Sequence, residues 1–193
     1  MKKTAETRVP VLPAIAERWS PRAYDADYEL TNDELVAILE AGRWAPSAMN
    51  AQPWRFSVVR RDDAIAETLN KEALFGFNGA WAPHASMIIY ISVPETTEDS
   101  SPYTIAYFDA GLAAQNMMLQ AEALGLAAHP ISGFSSEKAS QILGLEEGRT
   151  AIAALVVGKA ASPEILQGTP AYDREIAARH RLALEEIVLH GLN

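Results

Sequence analysis

The chain has 193 residues, of which 49% are hydrophobic and 21% charged, and it carries a net charge of −9. That length suits one domain over residues 1–193, the composition excludes a disordered chain, and the acidity disfavours a general nucleic-acid or anionic-membrane role. With no cysteine, disulfides, thiolate metal sites, iron–sulfur clusters and cysteine nucleophiles are excluded together.

Residues 1–8 read as a polar tail whose two lysines have no apolar run behind them, so no signal peptide is expected. The apolar runs near 85–93 and 151–157 are too short to span a membrane, and a cytoplasmic protein is the expectation. A short helix over Val9–Arg18, with Pro10 near its start and Pro13 in its first turn, feeds the stretch ERWSPRAYD, which Pro21 keeps extended. Thr31 and Glu34 make a capping box for a helix with Leu35, Ile38, Leu39 and Gly42 on one side. The stretch RWAPSAMNAQPW is a loop. Arg55–Arg60 is a strand, Asp62–Leu74 a modest amphipathic helix, and Ser86–Val93 a central strand because it is apolar almost throughout. Pro94–Pro102 is an acidic exposed loop.

From Tyr103 a long helix follows in which only Asp109, Gln115, Asn116, Gln120 and Glu122 interrupt apolar or small residues. Such a helix needs cover on several sides. Gly125 suits its C-cap, Leu126–His129 is a short strand, and Pro130-Ile131-Ser132-Gly133 breaks that strand into a tight loop that presents backbone. Ser135 caps a helix running to Leu143, and Thr150–Val157 is a further strand. Ser162–Tyr172 is loose, and Asp173–His180 and Ala183–His190 are short helical pieces. The mixture implies an α+β sandwich: a central sheet of four to five strands with helices on both faces and one long buried central helix. The apolar excess of that helix and of Ile187, Val188 and Leu189 implies an obligate homodimer.

Chemistry-bearing patterns are few. The four histidines have no metal-ligand spacing, and there is no nucleophile elbow, P-loop or dinucleotide fingerprint. No metal site and no catalytic side chain is expected, so a cofactor would carry any reaction. In the extended segment, Arg18, Ser20 and Arg22 fall at alternate positions and face one way, as a phosphate clamp would, or else they are surface arginines of a solvated loop. Arg179 and Arg181 repeat the pattern. Asn50 and Gln52 either read the edge of a heterocycle or satisfy their own loop. Trp44, Trp54 and Trp81 are core or interface residues before they are stacking platforms.

In order, RWSPRAYD, ARWAPSAMNAQPWRF, FNGAWAPHAS, DAGLAAQNMMLQAEALGLAAHPISGF, VVGK and RHRLALEEIV resemble the FMN-dependent nitroreductase family from about Ala14 to Val188. The resemblance implies a three-layer α/β/α sandwich around a mostly antiparallel sheet. It implies a homodimer with two interfacial FMN sites, the arm of about 183–193 packing on the partner. Arg18, Trp19, Ser20 and Arg22 would then line the FMN phosphate, ribityl and pyrimidine edge, and Arg179 and Arg181 would complete the phosphate grip. Pro46, Ser47 and Asn50 would come from the partner chain, and Asn78 would meet the pyrimidine side. Pro130, Ile131, Ser132 and Gly133 would run along the isoalloxazine, with a backbone N–H for N5. NAD(P)H would be the reductant, a nitroaromatic, quinone or other small electrophile the acceptor, and the order ping-pong. Ser132 stands where well-known members carry Glu, Trp81 where some carry Lys, Ala48 and Met49 where hydroxyl residues are usual, and Ala183 where proline follows the arginine pair. Those departures leave room for a reductase of enals, semialdehydes or other non-nitro substrates. A flavin-binding protein without turnover is a more distant alternative.

Overall fold

The computed structural model describes residues 3–95 and 105–191. Four strands, β1 (Arg55–Arg60), β2 (Met87–Pro94), β3 (Ala127–Ile131) and β4 (Arg149–Gly158), form one antiparallel sheet in the order β1-β2-β4-β3. β2 lies inside the sheet, as its unbroken apolar sequence requires: every residue from Met87 to Val93 is buried. It pairs Arg55 with Ser92 on one side and Met87 with Val157 on the other, with a register shift between Ile91 and Ser92.

Alternation along the strands feeds two cores. Ile89, Ile91, Leu155 and Val157 pack on α2 (Asn32–Arg43) and α5 (Ile105–Ala123), while Ile88, Tyr90, Ala154 and Val156 pack on the opposite face. That second face is covered by α3 (Ala66–Thr68), α4 (Gly76–Gly79), α6 (Ser136–Ile142) and α7 (Pro170–Ile176) with the turns between them. α1 (Pro13–Glu17) and α8 (Leu184–Ile187) lie near the two ends of the chain. A sheet with helices on both faces is the expected sandwich.

The Thr31–Glu34 capping box forms, Thr31 Oγ1 accepting from Glu34 N at 3.2 Å and Glu34 Oε2 from Thr31 N at 2.8 Å. Gly42 gives α2 its close approach to α5: a Cβ there would lie 2.8 Å from Met117 Cγ and Sδ. Asn116 Nδ2 adds a bond to Ala41 O at 3.1 Å.

Several boundaries differ from the sequence reading. The first helix occupies only Pro13–Glu17, because Pro13 starts a helix well but cannot sit inside one. The stretch 62–74 divides into α3 and a wider π-type turn, Leu69–Ala73. Pro130 does not break β3, which continues through Ile131; β3 is an edge strand, where a missing N–H costs no ladder bond. The loose 162–172 stretch holds a 3₁₀ turn, Pro163–Leu166, and the start of α7, which ends at Ile176, not His180. Residues 3–8, expected as a tail, touch the body: Ala5 N donates to Ala16 O at 2.8 Å and Arg8 pairs with Glu185. Trp44 is 74% exposed, unlike the buried Trp54 and Trp81. Tyr103 and most of the 94–102 loop lie outside the described residues.

Within one chain α5 is not covered all round. Asp109, Ala110, Ala113, Met117, Met118 and Ala121 are buried, whereas Ile105, Tyr107 and Phe108 are exposed. Among the described residues no helix is long and apolar enough to cross a membrane.

Candidate functional site

The extended arginine segment is seated by a carboxylate. Glu175 of α7, 1% exposed, accepts the backbone N–H of Arg22 at 2.7 Å and that of Ala23 at 3.3 Å. From the sheet side, His129 of β3 holds the preceding residue: its Nδ1 lies 2.8 Å from Pro21 O. A carbonyl only accepts, so the ring proton is on Nδ1. Arg18 Nη1 donates to Ser20 Oγ at 3.2 Å, which places the first two members of the alternate-residue set side by side.

Arg22 lies against aromatic faces, its guanidinium carbon 5.7 Å from the Phe77 ring centre and 6.0 Å from that of Trp81. Trp81 in turn contacts two further rings, Tyr24 stacked at 6.2 Å and His129 tilted at 4.6 Å. The Nε of Arg22 and the Nε1 of Trp81 are buried and have no hydrogen-bond partner. Buried donors are nearly always satisfied, so an orphan guanidinium N–H marks a place for an acceptor from outside the chain.

Arg179 and Arg181 come close to Arg18 although 161 and 163 residues, respectively, separate them from it along the chain (179 − 18 and 181 − 18). Burial holds the Arg18 guanidinium below its ordinary pKa, and the positive charges of Arg179 and Arg181 push it the same way. Arg179 is lowered likewise, by burial and then by Arg181. Mutual repulsion at a half-buried site is relieved by a bound anion, the more so by a dianion. Arg179 Nη1 donates to Lys3 O and Ala16 O, both at 2.6 Å, while Arg181 Nη1 donates only to His180 O at 2.7 Å and is exposed.

A second group forms where β3 runs out. Asn78 of α4 donates from Nδ2 to Gly133 O at 3.2 Å, and Phe75 N donates to the same oxygen at 3.0 Å. A Cβ on Gly133 would sit 2.5 Å from Asn78 Nδ2, so only glycine allows this approach. Pro130 and Ser132 are exposed, and Ile131 is buried. Arg22 joins this group to the first through Phe77, the neighbour of Asn78.

Pro46, Ser47 and Asn50 do not join either group within one chain. Their loop is anchored elsewhere: Ala48 N donates to the buried Asp109 Oδ2 at 3.1 Å, and Gln52 N to Ser47 Oγ at 3.0 Å. Met49, Asn50 and Gln52 have φ of 51°, 56° and 46°, and Met49 is fully exposed at the tip. A cleft of about 350 Å³ opens beside Lys3, Trp19, Glu122 and Gly125, but of the expected site residues only Trp19 lines it. Trp19 alternates with Arg18 and Ser20 and so faces away from them; Lys3 Nζ lies 4.4 Å from its ring centre.

Glu175, Lys3, His129 and Asp109 were not legible as site residues. A lone carboxylate in a short polar helix and a terminal lysine carry no sequence pattern.

FMN asks for an anion clamp, a cation near the pyrimidine edge and a flat backbone wall. The residues fit: clustered Arg18, Arg179 and Arg181, an Arg22 with an unused buried N–H, and the Pro130–Gly133 segment pinned by Asn78.

The nitroreductase family model matches residues 15–87 and 76–159. The chain is 32% identical to an NADH dehydrogenase of Thermus thermophilus, over 95% of this chain and 98% of that protein. It is 26% identical to a CLA biosynthesis enone reductase of Lactiplantibacillus plantarum, over 75% of this chain and 82% of the relative. Among solved structures, an oxidoreductase containing FMN superposes with a TM-score of 0.86 at 29% identity, covering 96% of this chain and 94% of the other.

Proposed function

The chain belongs to the nitroreductase family and is an FMN-dependent NAD(P)H oxidoreductase; we propose that it passes hydride to a nitroaromatic, quinone or other electrophilic small molecule. When bound, FMN would supply the chemistry, relaying hydride between NAD(P)H and the acceptor. The observation that carries this reading is the orphan Arg22 Nε beside the pinned Asn78–Gly133 contact, with the Arg18–Arg179–Arg181 cluster adjoining.

Each group has a task that its surroundings support. Arg18, Arg179 and Arg181 hold the phosphate, with Ser20 against Arg18. Arg22 faces the pyrimidine edge, where its charge favours the negative charge gained on reduction. Asn78 fixes the Gly133 carbonyl and with it the course of the segment, from which a backbone N–H after Pro130 is offered to the cofactor. The Ser132 side chain, exposed and short, leaves the ring face open. One open face serves both substrates in turn, hence a ping-pong order.

A single chain leaves Arg181, Pro130 and Ser132 at the surface, and it leaves the strained Ser47–Gln52 loop projecting. The exposed apolar residues Ile105, Tyr107 and Phe108 on α5 and Ile187 on α8 supply a surface for a second copy. We infer a cytoplasmic homodimer in which the partner's Pro46, Ser47 and Asn50 close the site.

A second reading keeps the site and changes the acceptor. By the family resemblance, Ser132 and Trp81 stand where well-known members carry Glu and some carry Lys, and one relative is named a CLA biosynthesis enone reductase. Anaerobic absorbance spectra after NADH, NADPH and then an acceptor panel test both readings. Protein that stays colourless with added FMN, or bound FMN that neither nucleotide bleaches, overturns the assignment. Turnover of enones without nitro compounds selects the second reading.

A further inference from the structure

The buried carboxylate of Glu175 is larger in consequence than its backbone bonds require. It is 1% exposed, and both of its oxygens accept, Oε2 from Arg22 N and Oε1 from Ala23 N. One side chain thus seats two consecutive backbone N–H groups. A neutral acceptor would seat one of those N–H groups at much lower desolvation cost. Lys3, Arg22 and the buried Tyr24 feel this charge, and Arg174 in turn opposes Arg22. The Arg174 guanidinium carbon lies 4.5 Å from the Phe77 ring centre, the same ring that Arg22 approaches at 5.7 Å. Lys3 Nζ bonds the backbone oxygens of Glu175 and Ala177. Lys3 and Arg22 therefore share one buried anion, and Arg22 is the one with an unused N–H.

We propose that Glu175 is a positioning residue for the cofactor site: it fixes the backbone from which Arg22 reaches the flavin, and its negative charge offsets Arg22 so that the bound flavin is held at a lower reduction potential than the arginines alone would set. This rests on the FMN reading above. Two functions of one side chain separate cleanly by substitution. Glu175→Gln keeps the shape and removes the charge. Glu175→Asp keeps the charge and shortens the reach by one methylene, too far to hold both N–H groups.

The test is the midpoint potential of bound FMN, together with FMN affinity from fluorescence quenching, in the wild type, E175Q and E175D. E175Q is expected to raise the potential, because the reduced cofactor gains negative charge and the opposing anion is gone. E175D is expected to leave the potential near the wild-type value and to weaken FMN binding on the order of tenfold, the scale of one lost charge-assisted hydrogen bond. Loosening alone has no reason to raise the potential. An E175Q potential equal to or below the wild type overturns the charge role, and unchanged FMN affinity in E175D overturns the positioning role. If E175Q does not fold, the E175D affinity decides the positioning role and the potential of Glu175→Ala, which also removes the charge, decides the charge role. Failure of the functional reading looks different, since the wild-type protein would then not retain FMN at all.

Discussion

His129 donates its Nδ1 hydrogen to the carbonyl of Pro21 across 2.8 Å, tying the strand that leads into Pro130–Gly133 to the segment that carries Arg18 and Arg22. Burial lowers the His129 pKa from 6.5 to about 4; the bond to Pro21 works against that shift, and the charges of Arg22 and Arg18 add to it. The folded state therefore favours neutral imidazole. The stability this contributes is fully present above pH 6.5, because the unfolded histidine is neutral there as well. It is lost as pH falls through the window from 6.5 to about 4, where only the unfolded chain takes up the proton. The loss should reach on the order of 3 kcal/mol. Urea unfolding from pH 7 to pH 4 should show this slope in the wild type and a shallower one in His129→Leu.

The arginine cluster should discriminate by phosphate. Arg18→Ala and Arg181→Ala are each expected to weaken FMN by about 10- to 100-fold, on the order of 1.5–3 kcal/mol, while riboflavin affinity changes little. Titration of the apoprotein with both flavins measures the difference. Equal losses for both would place these arginines away from the phosphate.

The exposed apolar face of α5 should be an interface. Phe108, 67% exposed in a single chain, changed to Glu should shift sedimentation from dimer to monomer and release FMN with it. A wild-type monomer that retains FMN would remove the partner loop from the site.

Gly42 should resist substitution although it lies in a helix, where alanine is normally better by roughly 1 kcal/mol. A methyl there meets Met117 at 2.8 Å and Phe56 Cζ at 3.1 Å. Gly42→Ala is expected to lower stability by about 1–3 kcal/mol through overpacking. Thermal unfolding measures it, and a stabilised variant would mean that α2 and α5 separate easily.

The Thr31–Glu34 cap, the apolar β2 and the long α5 were readable because each depends on neighbours in sequence: a hydroxyl three residues from a carboxylate, or an unbroken apolar run. The alternate arginines were readable as a motif for the same reason, and the order of motifs along the chain identified the family. Pro130 was misread because proline ends a strand only when its missing N–H faces another strand, and edge position is a property of the sheet. The short helices misled for a related reason: their ends are decided by what they pack on, which the local sequence does not record.

What the sequence by itself determined was the set of groups: alternate arginines, no cysteines and no metal-ligand spacing, an ordered run of motifs that resembles an FMN-using family, and a helix more apolar than a surface helix needs. What only the tertiary structure decided was which groups meet. Arg18 meets Arg179 and Arg181 across most of the chain, Glu175 lies buried under Arg22, and His129 is kept neutral beneath them. Local pattern records the covalent neighbours of a residue. Burial, charge pairing and an unsatisfied N–H depend on residues brought together from distant parts of the chain, and they arise only when it folds.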